Sequence, residues 1–203
     1  MHIELIDLLR CPEPHEETWL VAAFNKVDGR HIIEAKLGCP VCRREYLIHE
    51  GIAIFGNDDI SADGRKEDVT TTAAFLDLTS PGKTILLAGA FGFLADEIVE
   101  MTQSRAISLN ASMEGNNDRV AQILTVSRIP LASNSLDGVA LDRWHSTELG
   151  VGESARILRA GGRLLMSGDA LLTSEFRELA RDEKHVVAER VRDLTTLQRK
   201  ADR

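Results

Sequence analysis

Residues 84–101 read TILLAGAFGFLADEIVEM. The first six form a continuous apolar run of strand length, and in the last nine, FLADEIVEM, apolar positions recur at helical spacing. A strand that is apolar on both faces and runs straight into a helix is the unit of a parallel sheet covered by helices.

The alternation continues downstream. RAISLN (105–110), QILTV (122–126), LDGVAL (136–141) and GRLLMS (162–167) read as further strands. Residues 114–121 are a weak helical connection, and residues 148–158 supply the helix before the last of these strands. Residues 173–184 predict one more helix. Two alternating runs, 185–191 and 194–200, joined by Arg192-Asp193, then predict an antiparallel hairpin. The fold class is α/β with a seven-stranded, Rossmann-like sheet.

Upstream, residues 56–72, GNDDISADGRKEDVTTT, are polar and charged without apolar periodicity, the composition of a linker. The expected organisation is a small β unit at 1–57, an acidic linker at 58–69 and the α/β unit at 70–203. Within the first unit, residues 18–24, 31–35 and 46–55 read as short strands, with Asp28-Gly29 as a turn. So small a unit cannot be held by burial alone.

With 203 residues, 43% hydrophobic and 28% charged, the chain has an ordinary globular composition, which excludes disorder and collagen. No apolar run reaches the roughly 18–20 residues that cross a bilayer, and Glu4 and Asp7 stand where a signal peptide would carry basic residues. A cytoplasmic protein is expected. The net charge of -8 gives no general attraction to nucleic acid or anionic membranes. There is no internal repeat or heptad pattern.

All three cysteines fall within the first 42 residues, an odd number that does not suit a disulfide framework. Cys39-Pro40-Val41-Cys42 is a C-x2-C pair, a tight turn that aims two thiolates at one ion. Cys11 and His15, in CPEPH, complete a Cys3His set suited to structural zinc. His31, His49 or Glu13 are alternatives for the fourth ligand.

With LLRCP near the start, the CPVC turn and YLIHEGIAIF (46–55) leaving it, residues 1–56 resemble the small zinc-ribbon family that includes an activator subunit of tRNA and protein methyltransferases. Pro14 departs from that family's pattern, standing where a second cysteine would make C-x2-C. The resemblance implies a zinc ribbon and a protein partner such as a methyltransferase or its substrate complex.

IPLASNSLDGVAL (129–141) and ESARILRAGGRL (153–164) likewise resemble class I S-adenosylmethionine-dependent methyltransferases, over residues 70–203. That resemblance places the cofactor at Gly89, Ala90, Asn110 and Val126, and acceptor chemistry at Asp142 and His145. In this reading Trp144 packs or stacks, and Glu153 and Arg156 form an exposed or interface helix pair.

The loop after the first strand departs from the family's D-h-G-x-G-x-G. It reads LAGAFGF (87–93), with Leu87 for the acid and Phe91 and Phe93 at two glycine positions. Asn110 stands where a carboxylate would hold the ribose hydroxyls, and Thr125 where an acid would meet the adenine. A neutral amide replaces charge-assisted hydrogen bonds of roughly 1.5–3 kcal/mol. The expectation is an eroded S-adenosylmethionine site, with Phe91 and Phe93 closing the cofactor's space or else facing the core of a redirected loop, in a non-catalytic scaffold or altered-ligand binding module. An active methyltransferase of unknown acceptor is the alternative.

Overall fold

The computed structural model describes residues 1–56, 67–111, 117–168 and 171–191. Among the described residues, eleven strands form one mixed sheet. The strands are β1 (Val21–Asp28), β2 (His31–Gly38), β3 (Glu45–His49), β4 (Ile52–Phe55), β5 (Thr84–Ala88), β6 (Arg105–Leu109), β7 (Val120–Thr125), β8 (Leu136–Leu141), β9 (Leu158–Ser167), β10 (Phe176–Arg181) and β11 (His185–Arg190). Their spatial order is β1-β2-β3-β4-β7-β6-β5-β8-β9-β11-β10. Strands β4 to β9 pair in parallel at every neighbouring position, and the remaining pairs are antiparallel.

Period-two alternation splits the strand side chains between two apolar layers. Leu86, Ile107, Val139, Leu164 and Val186 face one side. Ile85, Leu87, Ala106, Ala140, Leu165 and Val187 face the other, under α1 (Val69–Phe75) and α2 (Ala95–Thr102). Helix α3 (Glu148–Ile157) covers the first layer together with the N-terminal 3-10 turn Ile3–Leu8. Asp68 caps α1, its carboxylate accepting from the Thr71 N–H at 2.6 Å. Among the described residues, no helix is long and apolar enough to cross a membrane.

The sheet is larger than the seven strands expected. Seven do lie after residue 83, but β4 docks in parallel on β7, from Ile52 opposite Gln122 to Phe55 opposite Thr125. The apolar layer is continuous as well: Leu9, Leu37 and Phe55 belong to the same buried cluster as Ile107, Leu136 and Ile157. Arg10 N–H donates to Pro130 and Ala132 N–H to Leu8, which ties the N-terminal segment to residues 129–133.

Three local readings are corrected. Residues 46–55 form two strands, because Glu50 and Gly51 take positive φ and reverse the chain. Val120 and Ala121 belong to β7 and not to a helix, while residues 112–116 lie outside the described residues. The helix expected at 173–184 is β10, whose partner is β11, with Phe176 opposite Arg190. The run FRELAR has helix-forming residues, yet pairing against the β-branched Val186 and Val187 overrides that preference. Residues 194–200, expected as the second hairpin strand, lie outside the described residues.

Glu153 and Arg156 are an interface pair, with Glu153 buried. The Glu153 carboxylate accepts from Ile129 N–H at 3.1 Å, from Arg128 at 3.1 Å and from Arg156 at 2.7 Å. Arg156 also donates to the Leu131 and Ile129 carbonyls at 2.6 and 2.7 Å. Glu17, from the N-terminal segment, accepts from the Ser133 hydroxyl at 2.6 Å and lies 3.4 Å from Arg156. Alanine at position 153 would strand a mostly buried guanidinium, so Glu153→Ala should cost about 3 kcal/mol. Thermal unfolding followed by circular dichroism should show Tm lower by about 6–12 °C.

Candidate functional site

Besides the Glu153–Arg156 network, two clusters of polar side chains among the described residues are candidates for a site. The first sits where β2 ends. Cys39 N–H donates to the Arg44 carbonyl and Arg43 N–H to the Cys39 carbonyl, closing a tight knuckle in which Arg43 adopts φ 61°. The segment carrying Cys11 follows the Leu9–Leu131 bridge and is pinned by Cys11 N–H to the Thr18 carbonyl.

The ligand atoms of Cys11, His15, Cys39 and Cys42 all lie within 4.8 Å of one another. The Cys11 and Cys42 sulfurs are 3.7 Å apart, and His15 Nε2 is 3.2 Å from Cys11 Sγ and 3.4 Å from Cys39 Sγ. A tetrahedral ion with roughly 2.3 Å bonds to sulfur has edges of about 3.8 Å between its sulfurs, so this set fits a metal ion. His15 Nδ1 is 2.7 Å from the Glu16 carbonyl oxygen. Donation there leaves the Nε2 lone pair facing the thiols. The alternatives for the fourth ligand are engaged elsewhere: His31 Nε2 faces Asp118 at 3.1 Å, and Glu13 pairs with Arg44 at 3.2 Å. His49 is exposed on β3.

The thiols are tuned apart. Burial pushes Cys11 up to about 11, partly offset by the Tyr46 hydroxyl and the Glu13 N–H. Burial also opposes ionisation of Cys39, but the N–H groups of Cys42 and Val41 and the neighbouring thiols bring it down to about 7. Tyr46, which sequence reasoning placed only at a strand start, lies with its hydroxyl 3.5 Å from Cys11 Sγ. Burial, with the adjacent thiols and Glu13, pushes its own pKa well above the usual tyrosine value and keeps the hydroxyl protonated. The signal that could have found it is parity, since Tyr46 and Ile48 both face inward on β3.

The second cluster lies at the carboxyl ends of β5, β6, β7 and β8, where an open α/β sheet offers its crevice. The chain leaves β5 through a 3-10 turn, Gly89–Leu94, and runs straight into α2. Gly89 has φ 57°, and a Cβ placed there would lie 2.0 Å from Asp142 Oδ2, so the carboxylate occupies the space beside the glycine.

Asp142, at 5% exposure, accepts from the Ala90 N–H at 3.0 Å. Its other oxygen accepts from the backbone N–H groups of Trp144 and His145 and from His145 Nδ1 at 2.6 Å. On the far side of the ring, Asn110 Nδ2 lies 3.2 Å from His145 Nε2. Asn110 also pairs twice with Thr125, accepting from its N–H at 2.8 Å and donating to its carbonyl at 2.9 Å. The network assigns His145 the tautomer with Nδ1 protonated, because Nε2 must accept. Four strand ends are therefore wired together: Ala90, Asp142, His145, Asn110, Thr125.

Gly89, Ala90, Asn110, Asp142 and His145 are thus brought together, whereas Val126 is exposed and its side chain lies beside Gly56. The aromatic explanation for closure is corrected. Phe91 is fully buried in the layer beneath α1 and α2, and Phe93 is 40% exposed, so the group against Gly89 is Asp142 and not a phenyl ring. Trp144 does not pack; it is 74% exposed.

No protein-family profile matches the chain, and no curated protein matches it. Among solved structures, the [4+2]-cyclase SpnF aligns with TM-score 0.43 at 16% identity, over 59% of this chain and 62% of that one. Geranyl diphosphate methyltransferase in complex with S-adenosylmethionine gives 0.38 at 15%, over 48% of each chain. MycE methyltransferase, from the mycinamycin biosynthetic pathway, gives 0.43 at 13%, over 68% of this chain and 56% of that one. The chain therefore spans less than two thirds of the length of each of these structures.

Burial opposes the Asp142 charge, but hydrogen bonds from His145 and from the Ala90 N–H outweigh it and hold the carboxyl below the usual aspartate range. A depressed folded-state value stabilises the protein at neutral pH. That contribution should start to fade as pH falls past the unfolded value of about 3.9, and disappear below the folded one. Asp142→Asn should cost about 2–3 kcal/mol at pH 7. In urea titrations across pH 2–7, its gap from the unmodified protein should narrow on the acid side.

Proposed function

We propose that this chain is a methyltransferase-like α/β module, held by a structural zinc ion, whose crevice has become an internal joint and no longer receives S-adenosylmethionine. The observation that carries this reading is the continuous hydrogen-bonded path from the Ala90 N–H through Asp142, His145 and Asn110 to Thr125. A nucleoside ligand would need donors and acceptors at those strand ends, and here they are spent on one another. Breaking such buried, charge-assisted bonds would consume binding energy that the ligand must supply.

In this reading residues 1–57 are a ribbon, 58–69 an acidic connection and 70–203 the methyltransferase-like unit; residues 57–66 lie outside the described residues, and the connection ends where Asp68 caps α1 and Val69 opens it. The ribbon's zinc would be held by Cys11, His15, Cys39 and Cys42. Structural zinc sites contribute roughly 10–16 kcal/mol of apparent binding energy to folding, which here would add to the burial that the segment already shares with the rest of the sheet. The thiolate set suits the reducing cytoplasm. The module would serve as a scaffold, with a protein partner such as a methyltransferase or its substrate complex, or as a binder of a different ligand.

Titration calorimetry with S-adenosylmethionine and S-adenosylhomocysteine tests the crevice. No heat of binding is expected up to about 1 mM, near -4 kcal/mol; micromolar affinity would instead favour an active methyltransferase. The zinc is tested separately. Elemental analysis should find one zinc per chain in the purified protein and none after Cys39→Ser with Cys42→Ser, and metal-free unmodified protein would overturn the zinc assignment.

A further inference from the structure

Each sulfur and nitrogen of the four-residue cluster has its own means of tolerating negative charge or of fixing its orientation. Cys42 is exposed to water. Cys39 is buried but receives the N–H groups of its own knuckle. His15 is oriented by the Glu16 carbonyl. Cys11 is buried in the apolar layer with Leu9 and Leu37, and the hydroxyl that reaches its sulfur belongs to Tyr46.

Tyr46 is well placed for this. It points inward from β3, its ring lies 4.8 Å from that of Phe55, and Phe55 in turn belongs to β4 on the ladder with β7. The hydroxyl is 3.5 Å from Cys11 Sγ and donates to Glu13 Oε1 at 3.3 Å. Glu13 is drawn the other way by Arg44, at 3.2 Å. One O–H thus stands between two acceptors, a carboxylate already paired with a guanidinium and a sulfur with no solvent.

We infer that Tyr46 is a positioning residue of the metal site, whose hydroxyl turns from Glu13 to the Cys11 sulfur when that sulfur becomes a metal-bound thiolate. This rests on the metal reading above and deepens it. A thiolate bound to a dication keeps part of its negative charge, and in this buried site the Tyr46 O–H is the side-chain donor that can join the Glu13 backbone N–H in stabilising it. The bond to Glu13 is the one given up at least cost, because Arg44 continues to pair with that carboxylate.

Tyr46→Phe removes the hydroxyl and keeps the ring packed on Phe55. Zinc affinity, measured in competition with a chromophoric chelator, should fall about tenfold, within the usual range for loss of an outer-shell partner. In the cobalt-substituted protein the sulfur-to-cobalt charge-transfer band should move to longer wavelength, since a thiolate that loses a hydrogen bond is easier to oxidise. A purely structural role for the ring would lower the melting temperature without moving that band, and Tyr46→Leu serves as the variant that tests the ring. Glu13→Gln, which weakens the competing acceptor, should leave zinc affinity unchanged or raise it. Tight zinc binding with the same affinity and band position in Tyr46→Phe would overturn the inference and leave the metal site standing. Failure of the unmodified protein to bind either zinc or cobalt would overturn both.

Discussion

The ladder between β4 and β7 is where the two parts of the chain become one body. It has only four residue pairs, yet its last pair, Phe55 with Thr125, brings both candidate sites into register. On one side, Phe55 supports the ring of Tyr46 and so the wall of the cysteine cluster. On the other, Thr125 is the residue to which Asn110 is doubly bonded at the floor of the crevice. A parallel pair is usually joined by a covering helix. Here the strands come from distant parts of the sequence, and the apolar layer running from Leu9 through Phe55 to Ile157 supplies the cohesion.

The crevice illustrates how polar groups can be satisfied by one another. Asp142 is buried and ionised, a costly state unless each oxygen finds donors. The Ala90 N–H serves one oxygen, while two backbone N–H groups and an imidazole serve the other. Asn110, in a left-handed conformation at φ 54°, can turn its amide toward the Thr125 backbone and extend the β6–β7 pairing by one step through a side chain. A carboxylate at position 110 has no proton to give the Thr125 carbonyl or His145 Nε2, whereas the neutral amide reaches both and lets the chain of contacts close.

The parts of the fold legible in the sequence are those where one local rule suffices. TILLAG is apolar on both faces, and β5 is the buried strand that such a run describes. The spacing of Cys11, His15, Cys39 and Cys42 selects four residues whose ligand atoms converge. Local rules fail where tertiary context decides. FRELAR is a strand because of what lies beside it. Alignment with a glycine leaves Phe91 either in the crevice or in the core, and the 3-10 path of that loop turns the ring into the core. Glu153 and Arg156 sit three apart in a charged-looking helix, and nothing local reveals that the carbonyls of residues 129 and 131 will approach them. Alternation along β3 marks Tyr46 as inward-facing, but its approach to Cys11 is set by tertiary structure.

The continuity of the sheet also limits how the molecule could be divided. If residues 1–56 were cut away, β7 would become an outermost strand with its backbone groups unpaired, and the apolar surface under Ile107 and Ile123 would lose its cover. A long hydrophobic edge of that kind templates association with other chains. The N-terminal segment therefore covers a sheet edge that would otherwise be open to pairing with another chain.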